Sequence, residues 1–169
     1  MLKANPDWLV IVEGVDKVGD DQYWWGGNLM GAKDNPVRLS QPDKLVYSAH
    51  DYGPGVYRQN WFDAPNFPDN MPDLWNKHWA YLNTEGTAPV LLGEFGGKSI
   101  DPSTTEGIWQ RKLFSYLKEH GMSYTYWSWN PDSGDTGGVL QDDWNTIDQA
   151  KLDVMKEYQA PRLEATDAR

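Results

Sequence analysis

The chain has 169 residues, 15 Lys and Arg against 25 Asp and Glu, a formal net charge of −10 at pH 7 and no cysteine. That length holds one domain with a proper core and not two comfortable ones. The acidic balance excludes nucleic acid and an anionic membrane surface as partners, the lack of cysteine excludes disulfides and thiolate metal ligation, and no run approaches the roughly 18 apolar residues of a membrane span.

Residues 1–7 lack the basic start and apolar stretch of a signal peptide. Trp8–Val12 (WLVIV) is a short continuous apolar run and predicts the first strand, closed by Glu13. A long irregular loop follows, carrying YWWGGNL. Leu45–Ala49 (LVYSA) predicts the second strand, which runs into His50, Asp51 and Tyr52. Met71–Thr84 places Leu74, Trp75, His78, Trp79 and Leu82 at helical spacing. Val90–Leu92 predicts the third strand and runs into Glu94 within VLLGEFGG. Thr105–His120 predicts a helix with Ile108, Trp109, Leu113, Tyr116 and Leu117 on one face, an N-cap at Ser103 or Thr104 and a stop at Gly121. Ser123–Trp129 (SYTYWSW) predicts the fourth strand, and a last helix runs from about Thr146 to Tyr158. Residues 1–160 form the domain, and 161–169 a polar tail expected to be disordered.

Strands alternating with helices argue for βα units and a parallel sheet. Sites in such α/β architectures gather at the carboxyl ends of the strands. Glu13, His50, Asp51, Tyr52, Glu94 and Trp127–Asn130 are therefore expected on one rim. Ten Trp, nine Tyr and four Phe exceed what this core requires, and many stand beside Asn, Asp and Gly, as ring faces meant for a ligand do. Trp75, Trp79 and Trp109 are expected to pack on the sheet. Trp24, Trp25, Trp127 and Trp129 are the stacking candidates, with Trp25 and Trp127 ahead because neighbouring rings point apart. His78 and His120 show no metal-ligand spacing. Asp132, Asp135, Asp142 and Asp143 do not meet EF-hand spacing and read as a turn-rich loop with acids capping backbone amides. No metal or cofactor is expected, and phosphate-cradling glycines and a nucleophile elbow are absent.

The segments NPDWLVIVEGV, YWWGGNL, LVYSAHDYGPGVY, WNKHWAYL, LLGEFGG and WSWNPDSGDTGGVLQDDW, in that order, resemble successive landmarks of glycoside hydrolase family 5, specifically its bacterial endo-β-1,4-glucanases. The resemblance runs from Asn5 to about Tyr158. It implies a retaining mechanism on a (β/α)8 TIM barrel, with two glutamates about 5 Å apart, one a nucleophile and one an acid/base. By the GEFG motif the nucleophile falls on Glu94. His50 and Tyr52 match residues bordering the reacting sugar, Tyr52 with its hydroxyl near Glu94. Trp127 matches the platform beneath that sugar, and Trp25 a more distant stacking surface.

One departure stands out. The family's acid/base belongs to an Asn-Glu-Pro motif, and no Asn-Glu pair occurs in this sequence. By landmark, Trp8–Val12 corresponds to the fifth barrel strand, which makes the expected fold an α/β half-barrel of four parallel strands matching strands five to eight. Such a half has open edges, and a homodimer about the barrel axis is expected to close it. Hydrolysis of β-1,4-glucan is expected to be impaired, with Glu13 as a possible surrogate acid. The alternative is an inert carbohydrate-binding or structural half-barrel. The resemblance also implies an extracellular location.

Overall fold

The four expected strands come together as one sheet in the computed structural model, which describes residues 1–161. The polar tail expected to be disordered lies, after its first residue, outside the described residues. The strands are β1 (Val10–Glu13), β4 (Leu45–His50), β5 (Val90–Glu94) and β6 (Ser123–Tyr124), in the spatial order β1-β4-β5-β6. All pair in parallel, with Val10 opposite Leu45, Tyr47 opposite Val90 and Leu91 opposite Ser123. Parallel register brings every carboxyl end to one rim.

The two faces of this sheet differ sharply. Tyr47, Ala49, Val90 and Leu92 point outward into a core with Trp75, Trp79, Trp109, Leu113 and Phe114, all buried. On the other face Ile11 is 54% exposed and Val46 and Leu91 are half-buried. Apolar side chains on an uncovered face are what a barrel segment without its complement presents.

The run Met71–Thr84 is helical throughout but not uniform. It comprises α1 (Met71–Trp75), a π-helical segment (Asn76–Ala80) and α2 (Tyr81–Thr84). The wider turn lets His78, Trp79 and Ala80, three residues in succession, all be buried. α3 (Thr105–Glu119) is capped by Thr104, whose Oγ1 accepts from the Gly107 amide at 3.0 Å, and ends before Gly121 at φ +62°.

Three elements differ from expectation. β6 stops at Tyr124 rather than Trp129, because the carbonyls of Ser128 and Trp129 accept from the amides of Val139 and Leu140, both at 2.9 Å, in the returning loop. Residues beyond Tyr124 still run beside β5, where the Trp127 amide donates to the Phe95 carbonyl at 2.9 Å. The last helix, α4 (Gln149–Glu157), begins at an Asp148 cap and not near Thr146, since Thr146 and Ile147 pair with Gln141 and Leu140. The long loop after β1 contains an antiparallel hairpin of β2 (Lys17–Val18) and β3 (Asp21–Gln22), turned by Gly19 at φ +61° and Asp20. Its Asp21 bonds Nε2 of His78 at 2.7 Å and also pairs with Lys77, fastening the hairpin to the π segment.

Candidate active site

Parallel pairing sets Glu13, His50 and Glu94 side by side at the ends of β1, β4 and β5. A register shift between Ala49 and His50 puts His50 level with Glu94. The imidazole then lies between two carboxylates: Nε2 is 2.5 Å from Glu13 Oε1, and Nδ1 is 3.3 Å from Glu94 Oε2. The second approach is close but lacks hydrogen-bond alignment. Two residues on, the Tyr52 hydroxyl donates to Glu94 Oε2 at 2.5 Å. Burial, and then the bond to Glu94 and its charge, hold the Tyr52 phenol well above its ordinary range, so it stays a donor.

The YWWGGNL loop wraps His50. Gly26 sits at φ +70°, and a Cβ there would stand 2.8 Å from His50 Nδ1, so a side chain is excluded both by backbone and by space. Gly96 meets a comparable constraint, since a Cβ would lie 1.8 Å from the Trp127 carbonyl oxygen. That approach brings Trp127 to the rim.

Behind the rim is Asp51, which is fully buried. Its Oδ2 accepts from the Tyr23 hydroxyl at 2.6 Å and from Trp79 Nε1 at 3.3 Å, while its amide donates to the Glu94 carbonyl at 3.0 Å. Burial raises its pKa to about 7 against the lowering effect of these donors. Tyr23 in turn stacks on His78 with ring centroids 3.9 Å apart.

A cavity of about 270 Å³ opens over Glu94, lined by Trp25, Tyr52, Glu94, Trp127 and Asp135. It adjoins a cavity of about 510 Å³ that shares Trp25 and Asp135 and adds Tyr57, Gln22 and Gln59. Trp25 and Trp127 are about half exposed and line the cavity beside Glu94. Trp24 is buried, its ring edge-on to those of Trp25 and Tyr52. Trp129 is exposed but lines neither cavity. A larger cavity, about 680 Å³, lies by the loop after β6 and contains neither Glu94 nor Tyr52, so size does not mark the chemistry.

Two residues of this site escape sequence reasoning. Asp135 does bond within its turn, to Ser133 Oγ at 2.8 Å, but the turn also carries it over the Glu94 cavity. Tyr57 is 65% exposed and follows GPG, an aromatic in a polar loop, which is the signal that could have found it. No group of three or more potential ligands arranged for a metal ion occurs among the described residues.

Chemically, one oxygen of Glu94 is held by Tyr52, and the other has no hydrogen bond among the described residues. A carboxylate so held can attack an electrophilic carbon, and the flanking indole faces suit the apolar face of a pyranose.

The family described as Cellulase (glycosyl hydrolase family 5) matches residues 1–133. The chain is 49% identical over 164 residues to an endoglucanase of Paenibacillus polymyxa, covering 95% of this chain and 41% of that protein. It is 39% identical over 161 residues to the major extracellular endoglucanase of Xanthomonas campestris pv. campestris, covering 92% of this chain and 33% of that one. Among solved structures it is similar to a cellotetraose complex of the endocellulase from Pyrococcus horikoshii, with TM-score 0.83 and 46% identity over 93% of this chain and 45% of the other. The chain thus spans less than half the length of these relatives.

Proposed function

The chain belongs to glycosyl hydrolase family 5, and from that premise we propose that it carries the nucleophile half of a retaining endo-β-1,4-glucanase site, with Glu94 as the nucleophile. The observation that carries this reading is the Tyr52 hydroxyl, which donates to Oε2 of Glu94 at 2.5 Å. It orients the carboxylate so that Oε1 is the free atom.

In the proposed reaction, Oε1 forms a bond to the anomeric carbon as the bond from that carbon to the glycosidic oxygen breaks. The departing oxygen takes a proton from an acid partner, and water, deprotonated by the same partner, later releases the sugar from Glu94. Trp127 and Trp25 serve as the stacking surfaces for a β-1,4-glucan, with the edge-on Trp24 bracing Trp25 and Trp129 extending the aromatic rim. The names of the relatives support that substrate, and the name of the Xanthomonas relative supports an extracellular location.

The acid partner is the weak point of this chain. No Asn-Glu pair occurs in the sequence. Glu13 is a further rim carboxylate, but its Oε1 lies against His50 Nε2 at 2.5 Å. We propose that four further strands complete the barrel and that a second copy of the chain supplies them, β1 of one pairing with β6 of the other. Without a well-placed acid, turnover falls by about 10²- to 10⁴-fold. That expectation favours a second reading, glucan binding without turnover.

Reducing-sugar release from soluble cellulose by the purified protein, with cellotetraose binding measured alongside, separates the two. Weak release that Glu94→Gln abolishes, with binding retained, is the expected result. Hydrolysis that survives Glu94→Gln unchanged rules out the nucleophile, and binding with no release supports the second reading.

A further inference from the structure

We infer that Glu13 is a positioning residue, holding Nε2 of His50 so that the opposite ring nitrogen faces the Glu94 carboxylate. The inference rests on the reading of Glu94 given above.

Glu13 does not line the cavity over Glu94. Its carboxylate instead reaches one strand across, to His50 Nε2 at 2.5 Å, while Nδ1 stands 3.3 Å from Glu94 Oε2. The last torsion of a histidine is broad and close to two-fold, so a half-turn of the ring exchanges Nδ1 with Cδ2 at little intrinsic cost. Gly26 packs against the ring and confines it, yet a flat contact does not tell nitrogen from carbon. Nδ1 itself has no aligned hydrogen bond. The 2.5 Å approach of Glu13 Oε1 to Nε2, an ion-pair contact and the shorter of the two, is therefore what selects the ring orientation that turns nitrogen, and not carbon, toward Glu94. An acid anchored this way is poorly placed to protonate a leaving oxygen, which separates this role from that of a surrogate acid.

Glu13→Ala and Glu13→Gln in the full chain test it, since Gln keeps an acceptor oxygen at the same reach and Ala removes it. Nitrogen-15 NMR of the imidazoles, with His50 identified among the three histidines by substitution, reads the ring directly. Wild type and Glu13→Gln should show one His50 ring species, and Glu13→Ala an exchanging mixture. On soluble cellulose, Glu13→Ala should lower kcat about tenfold with KM little changed, and Gln should recover most of it. Where release is too slow to measure, the NMR signature decides. An unchanged His50 signature, or an unchanged kcat, in Glu13→Ala overturns the inference and leaves the Glu94 reading standing. Wild-type protein that binds no cellotetraose removes that reading and this inference together.

Discussion

At the scale of single residues, Asp51 is a carboxyl held away from its ordinary charged state. It is buried without a cation, and its pKa rises to about 7 because burial disfavours the charged form. The native state therefore keeps a proton that the unfolded chain releases near pH 4. Its stabilising contribution is complete below that pH and is lost as pH rises to about 7. Asp51→Asn keeps an acceptor for Tyr23 and Trp79 while removing the titration. Thermal melts should show wild type losing roughly 1–4 kcal/mol relative to Asp51→Asn between pH 4 and pH 8. A constant offset between the two proteins across that range would argue against the protonated carboxyl.

At the scale of elements, the loop between β3 and β4 is held to His50 through a glycine. Gly26→Ala forces a Cβ into a left-handed residue and against the imidazole. Gly19→Ala imposes the same backbone conformation at the hairpin tip, where nothing lies within 4 Å. Both should destabilise the fold by about 1–2 kcal/mol in urea titrations. Only Gly26→Ala should also weaken cellotetraose binding, and equal binding by the two variants would detach this loop from the site.

The elements also differ in how far the sequence announces them. β1, β4 and β5 are continuous apolar runs because both their faces belong in a barrel wall, so position and rim followed from pattern alone. α3 was readable from its cap and its stop. The π segment was not, since its register is chosen by where Trp79 and His78 must go, to Asp51 just past β4 and to Asp21 on β3. β6 was overread because SYTYWSW keeps strand composition after its carbonyls turn to the 139–140 segment. At the site, Glu94 with Tyr52 was foreseeable through motif resemblance. The Glu13–His50 contact and the place of Asp135 depend on strand adjacency and loop return, which no local pattern encodes.

At the scale of the whole molecule, β1 is an edge strand among the described residues, flanked by apolar side chains. Trp8, Leu9, Ile11 and Val15 on and beside β1 are each more than half exposed. An apolar edge strand of this kind recruits a neighbour. Against that stands the charge of −10, which makes two copies repel. Sedimentation at micromolar concentration should show a dimer that tightens as salt screens the repulsion, and Ile11→Lys should shift it to monomer. A monodisperse monomer at all salt concentrations would exclude closure by a second copy.

The placement of the tryptophans gives the protein two optical signals. Trp24, Trp75, Trp79 and Trp109 are sealed in the core, Trp61 is half-buried, and Trp8, Trp25, Trp127, Trp129 and Trp144 stand about half in water. An aqueous quencher such as iodide does not reach the sealed set. Emission that survives iodide therefore reports unfolding around Asp51, and emission that a bound oligosaccharide shields from iodide reports occupancy of the groove, so both are measurable on one unlabelled sample.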